Sequence, residues 1–136
     1  MSVMIHTDID IKDEVWNWIT QSQLSAEISG SVYKDQRPLN STLEDIVIAV
    51  IARDADRQMQ EATVNVNVYV PDIHRVREAI EDTTRLRTLC TLAASVFEYR
   101  HVGNAIYELD SQEVMKANGI DWHVINNRLR VRYNNE

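Results

Sequence analysis

The sequence predicts an α+β domain: an antiparallel sheet packed by helices, in the order α-β-β-β-α-β-β, as a single domain over residues 1–136. Three observations carry that prediction. In Thr63-Val64-Asn65-Val66-Asn67-Val68-Tyr69-Val70, valine alternates strictly with polar or amphipathic residues. Successive strand side chains point to opposite faces, so the valines line one face and Thr63, Asn65, Asn67 and Tyr69 the other. The same period recurs near the end, where Leu129, Val131 and Tyr133 alternate with Arg128, Arg130 and Arg132. Between these strands, apolar residues fall at helical spacing and supply a cover for the valine face.

The elements follow in order. A first helix is expected from about Asp10 to Leu24, with Thr7, Asp8 and Asp10 as candidate N-caps. Its acidic first turn suits the positive end of the helix dipole. Ile11, Val15, Trp18, Ile19 and Ser22 fall at helical spacing and form its apolar stripe, and Trp16 falls outside it. A turn through Ser25–Ile28 ends at Gly30, and Ser31-Val32-Tyr33 begins a strand. Asp35–Asn40 reads as loop.

Glu44–Ala52 fits two patterns. Ser41 and Glu44 could form a helix capping box, but the β-branched residues Ile46, Val47, Ile48, Val50 and Ile51 favour a strand, which is the reading adopted. Such a strand is apolar on both faces and needs a second cover, from the first helix or from another subunit. Arg53–Glu61 is then a long polar hairpin loop, and long loops often do the binding. After Pro71, a helix is expected from Ile73 to Tyr99, closed by Gly103-Asn104. Two strands follow, near Tyr107–Lys116 and His123–Tyr133, with Asn118-Gly119 as the turn between them.

Composition bounds the function. The net charge of −7 opposes wrapping nucleic acid, which needs many phosphate-neutralising cations. Cys90 is the one cysteine, so no internal disulfide forms, and this fits a reducing compartment. The first residues lack a basic region followed by an apolar run, so no signal peptide is expected. No apolar stretch approaches the roughly 18 residues of a membrane span.

No catalytic constellation is visible. His6, His74, His101 and His123 have no partner at metal-ligand spacing, so no metal site is expected. Asp8, Asp10, Asp13 and Glu14 crowd like calcium ligands, but an EF-hand needs glycine and glutamate where Asp13 and Ile19 stand. Helix capping accounts for them better. Cys90 lies in an apolar stripe and reads as a small core residue, where a catalytic thiol needs an electropositive, accessible setting. There is no glycine-rich phosphate loop and no nucleophile elbow. Glu81 and Asp82 are adjacent on the expected helix and face different ways, which suits solvation. No cofactor is implied, and the chain does not read as an enzyme.

The arginine row is the charged feature with a functional reading. It is either a solvated strand face or a contact for acidic surface on a neighbouring subunit. With the 53–61 loop it gives the candidate interface residues Arg53, Asp54, Asp56, Arg57, Arg128, Arg130 and Arg132. An alternative is a small non-enzymatic ligand- or nucleic-acid-binding domain, with Thr63, Asn65 and Asn67 as a platform and Tyr69 stacking. A metal-dependent enzyme using the acidic N-terminus is a third reading, which elemental analysis would decide.

The order of elements resembles the tail terminator, or tail completion, proteins of long-tailed bacteriophages. The likeness runs through Ile28-Ser29-Gly30-Ser31-Val32-Tyr33, the Arg37-Pro38-Leu39 loop before an apolar strand, the alternating third strand and the alternating close Leu129–Tyr133. Glu44-Asp45-Ile46-Val47-Ile48 with Val64–Val70 also looks like prophage proteins of gut bacteria. The resemblance implies a structural function without catalysis. Such proteins form a ring, usually of six subunits, on the head-proximal end of the tail tube, and a head-completion or neck protein is the nearest variant. It implies three partners: further copies of the chain, tail-tube proteins and head-tail connector proteins. Location would be the host cytoplasm during assembly and then the virion tail.

Overall fold

Thr7 opens the first helix, α1 (Asp8–Thr20), in the computed structural model, which describes residues 7–55 and 59–134. Its hydroxyl accepts from the Asp10 N–H while the Asp10 carboxylate accepts from the Thr7 N–H, a reciprocal cap. Ile11, Val15, Trp18 and Ile19 are buried, as their spacing requires. The chain then breaks. Ser22 caps a second short helix, α2 (Gln23–Glu27), so the single helix expected to Leu24 is two. Trp16, outside the stripe, donates from Nε1 to the Val32 carbonyl at 3.1 Å and ties α1 to β1 (Val32–Lys34).

The strand reading of the ambiguous segment holds: β2 is Ile46–Ala55 and pairs with β3 (Met59–Pro71) from Ile46↔Val68 to Ala55↔Gln60. The ladder therefore runs through most of what was expected to be a polar loop. Arg53 pairs with Ala62 and Asp54 with Glu61 by register. Continued cross-strand hydrogen bonding satisfies backbone groups that a long loop would leave to water. Asp56 and Arg57 lie outside the described residues. A bulge at Ile51 shifts the register between Val50 and Ala52.

The helix expected from Ile73 begins ten residues later in sequence, at Thr83. Ile73–Arg75 (β4) and Glu78–Ile80 (β5) form a small hairpin instead, with Ile73 opposite Ile80. Arg77 takes a φ of +75° at its turn, a conformation no helix admits. Asp82 caps the helix α3 (Thr83–Phe97), its carboxylate accepting from the Arg85 N–H. β6 (Tyr99–Val102) was not foreseen. Gly103, at φ +58°, turns it into β7 (Ala105–Lys116) and does not cap a helix. β8 (Trp122–Asn134) follows the Asn118-Gly119 turn.

Six strands form one sheet in the order β1-β2-β3-β8-β7-β6. It is mixed, not wholly antiparallel as expected: β1 and β2 run parallel, from Val32↔Ile46 to Lys34↔Ile48. The segment between them has to return to the same end of the sheet, and parallel pairing follows from that return. Val64, Val66, Val68 and Val70 are all fully buried, on the face the alternation assigned. Burying each contributes about 1.5–3 kcal/mol. Their cover comes from two sides, since α1 packs on β1 and β2 while α3 packs on β7 and β8. Trp18 bridges the helices, edge-on to Phe97 at 5.5 Å and tilted to Tyr107 at 5.2 Å. Tyr107 and Tyr133 share a hydrogen bond of 3.2 Å beneath it.

Val66→Asp would place an unpaired charge in this core. Melting curves should show a loss of about 3–5 kcal/mol. Tyr133 supplies a pH test. Burial first, then the charge of Glu14, pushes its hydroxyl above the ordinary value of 10. Above pH 10 the unfolded chain releases this proton while the folded one keeps it, so stability falls as pH rises. Tyr133→Phe should flatten that alkaline slope in denaturation curves taken at successive pH values.

Candidate functional site

Helices cover one face of the sheet. The other carries the polar half of each alternation: Thr63, Asn65, Asn67 and Tyr69 on β3 beside Asn126, Arg128, Arg130 and Arg132 on β8. Two features organise this face, an arginine row and a cleft beside Arg37.

The arginines alternate with buried Leu129, Val131 and Tyr133 as expected. β8 is an interior strand, so the row stands between β3 and β7 and meets acids of its own chain. Arg132 binds Glu108, its register neighbour once removed, and Arg130 lies 3.6 Å from Asp110. Both pairs are exposed enough for water to screen them, and each contributes about 0–1 kcal/mol. Arg128 is exposed, opposite Asn65 on one side and Ser111 on the other. It is the member of the row most available to another molecule. The side chains of Arg53 and Asp54 lie outside the described residues, so the structure does not join them to the row.

Two of the four residues of the β3 platform, Asn67 and Tyr69, are engaged within the chain. Asn67 accepts from Asn126 at 2.7 Å. The Arg37 guanidinium stacks on Tyr69 at 4.5 Å and on Trp122 at 4.1 Å. Tyr69 therefore has a cation on its ring where a nucleobase would have to stack.

Arg37 itself is held from beneath. Its Nε lies 3.4 Å from the Asp45 carboxylate, and its Nη2 donates to the Ser41 carbonyl at 3.0 Å. Asp45 is fully buried and also accepts from the Ser31 N–H at 3.1 Å and the Ser41 hydroxyl. Gly30 makes room for it. A Cβ there would stand 2.0 Å from Asp45 Oδ1 and 2.4 Å from the Glu44 carbonyl. The 35–41 loop thus folds over the outer face and covers Val47. The two-faced second strand gains a second cover at Val47 from this loop, not from α1, while Ile51 further along stays exposed. A cleft of about 340 Å³ remains beside Arg37, with Tyr69, Trp122 and exposed Leu39 and Ile120 on its walls.

Glu44 does on the other side what Asp45 does here. Arg85 donates from Nε and Nη2 to its two oxygens, at 2.7 and 2.8 Å, and from Nη1 to Glu27 at 2.7 Å. These bonds, to Glu44 first and Glu27 second, hold the guanidinium further above its usual range. At the end of the sheet, His123 Nδ1 sits 2.6 Å from Asp72, and His74 Nε2 sits 3.2 Å from Asp121. Among the described residues no group of three His, Cys, Asp or Glu side chains is placed to hold a metal. Burial pushes the half-buried Cys90 thiol up, away from the thiolate form. Among the described residues no helix is long and apolar enough to cross a membrane.

Sequence reasoning missed Arg37, Asp45, Trp122 and Arg85. The available signal was Glu44-Asp45, two carboxylates directly before an apolar strand, where burial demands cationic partners.

Removing either partner of a buried ion pair strands the other. Arg37→Ala should cost about 3–5 kcal/mol in chemical denaturation. Gly30→Ala should cost about 1–3 kcal/mol through overpacking against Asp45. No protein-family model matches this sequence, and no curated protein matches it.

Proposed function

We propose that this chain is a structural subunit that assembles with copies of itself into a ring at the end of a phage tail tube: a tail terminator or head-tail completion protein. The observation that carries the reading is the one-sided sheet. Helices occupy one face, and the other presents ordered rows of arginine and carboxylate with Arg128 open to a neighbour. A ring of identical subunits needs two different patches of one subunit to meet. A face carrying both charge signs suits such a contact and makes it salt-sensitive. The element order expected from the sequence resembles that family and supports the same reading, with the split first helix, the β4–β5 hairpin, β6 and the mixed pairing as departures. The proposal needs no cofactor and no reaction. Its partners are further copies, the tail-tube protein and the head-tail connector, met in the host cytoplasm and retained in the virion tail. Arg37 over the Tyr69 ring weighs against the nucleic-acid alternative, which needs a base stacked there.

The test is to co-express the chain with the tail-tube protein of the same phage and image the tubes. Length-limited tubes capped at one end are expected. Arg128→Glu with Arg130→Glu should abolish capping while the melting temperature stays within a few degrees, because neither side chain is buried. Tubes that remain uncapped with the wild-type chain would overturn the proposal.

A further inference from the structure

Among the described residues, two of the long strands of this sheet, β7 and β2, lack a partner along part of one edge. β7 has β8 beside it throughout, but β6 pairs only with Ala105–Glu108. From Ser111 to Lys116 its other edge has no strand among the described residues. β2 has β3 beside it throughout, but β1 pairs only with Ile46–Ile48. Its edge is likewise free from Ala49 to Ala55. Free edges present rows of backbone donors and acceptors, and proteins usually guard them with charge. Here they carry exposed apolar side chains as well, Ile51 on β2 and Val114 and Met115 on β7, each between 39% and 47% exposed, with Glu113 and Lys116 the exposed charges on the β7 stretch.

The edges also match. β2, β3, β8 and β7 are joined by three antiparallel steps, so β2 and β7 run in opposite directions. A second copy in the same orientation therefore sets its β2 antiparallel to the first copy's β7. The direction of the peptide groups agrees with this. Ala117 N donates to Trp122 O across β8, so Val114, three residues earlier, directs its peptide groups to the free side. Ile46 N and Ile48 O serve the β1 side, so Val50 directs its groups to that same outer edge. Val50 packs against the core, and Val114 stands opposite core residue Ile125. Both valines therefore belong to the helix-covered face. Placing Val50 opposite Val114 joins the hydrogen-bonding groups and keeps both helical layers on one side.

We infer that copies of this chain join edge to edge, β7 of one pairing antiparallel with β2 of the next, so that the sheet continues across the interface. The occupant of each edge is a second copy because one chain supplies both complementary edges. This deepens the assembly reading and rests on its premise of self-association. The contact is heterologous, since it uses two different edges, and it leaves each subunit one further edge to extend or close a ring.

Disulfide trapping tests it. In this pairing Ala49 and Met115 are opposite each other on the outer face, as a non-hydrogen-bonded pair close enough for a disulfide. In a Cys90→Ser background, the double variant Ala49→Cys with Met115→Cys should oxidise to a covalent ladder. Each single variant should remain monomeric on non-reducing gels, and the two mixed should give dimers. Val114→Pro removes an outward-facing donor and should weaken association at least about tenfold while leaving the melting curve nearly unchanged. Cross-links in Met115→Cys alone would indicate two-fold pairing of β7 with itself and overturn the inference. So would a native mass that shows oligomers with no cross-link in the double variant, which leaves the ring reading standing on another interface. A strictly monomeric chain overturns the edge pairing as well, and tube capping then decides the functional proposal separately.

Discussion

β3 and β8 lie side by side over their whole length, from Met59↔Asn134 to Pro71↔Trp122, and everything else is placed by that ladder. Because both strands alternate, joining them in this register makes one face mainly apolar and the other mainly polar. Val64 stands opposite Leu129 and Ala62 opposite Val131, while Thr63 meets Arg130 and Asn65 meets Arg128. A slip of one residue would turn arginines into the core, so burial excludes it. The one buried polar member, Asn127, confirms how tightly the pairing is specified. It donates to the Val66 carbonyl at 3.1 Å and accepts from Gln112 at 2.8 Å, and Gln112 also reaches the Cys90 carbonyl of α3.

Charge positions what the apolar face cannot. Adjacent carboxylates at the entrance of β2 point to opposite sides. Glu44 binds Arg85 and fastens α3 to the end of α2, while Asp45 binds Arg37 and fastens the 35–41 loop over Val47 and Tyr69. Each cation is ordered by more than one partner, which offsets the cost of taking these charges out of water. The exposed pairs of Arg130 and Arg132 contribute little to stability by comparison. They set the pattern of sign on the helix-free face, where the contact proposed for Arg128 lies.

The strands were legible where period and burial coincide. The valines of β3 and the arginine alternation of β8 state their faces directly, and β-branching identified β2 against a competing helical pattern. The start of α3 was not legible. Ile73, Val76 and Ile80 continue the helical spacing of Leu86 and Phe97, and the turn between β4 and β5 carries Val76 and Arg77 with no glycine or asparagine to mark it. The better signal was Asp82, an N-cap residue followed directly by Thr83 and Thr84. The parallel pairing of β1 was also hidden, because a three-residue strand announces no direction. Of the candidate interface, the alternation of Arg128, Arg130 and Arg132 was readable, but their acidic partners on β7 depend on a bulge at Asp110 that no local pattern reveals.

The central ladder also dictates when the fold can form. Val66 and Asn127 are 61 residues apart, and the ribosome completes β3 long before β8 exists. During that interval the β2–β3 hairpin stands with its valine face lacking the α3 cover and one long edge unpaired. Contacts of such sequence separation slow folding, because the loop must close before the pairing is rewarded. Exposed apolar surface and an unpaired strand edge make such a nascent chain prone to aggregate at high expression. Its yield in the cell would then be set by the rate at which β8 arrives, and not by the stability of the finished sheet.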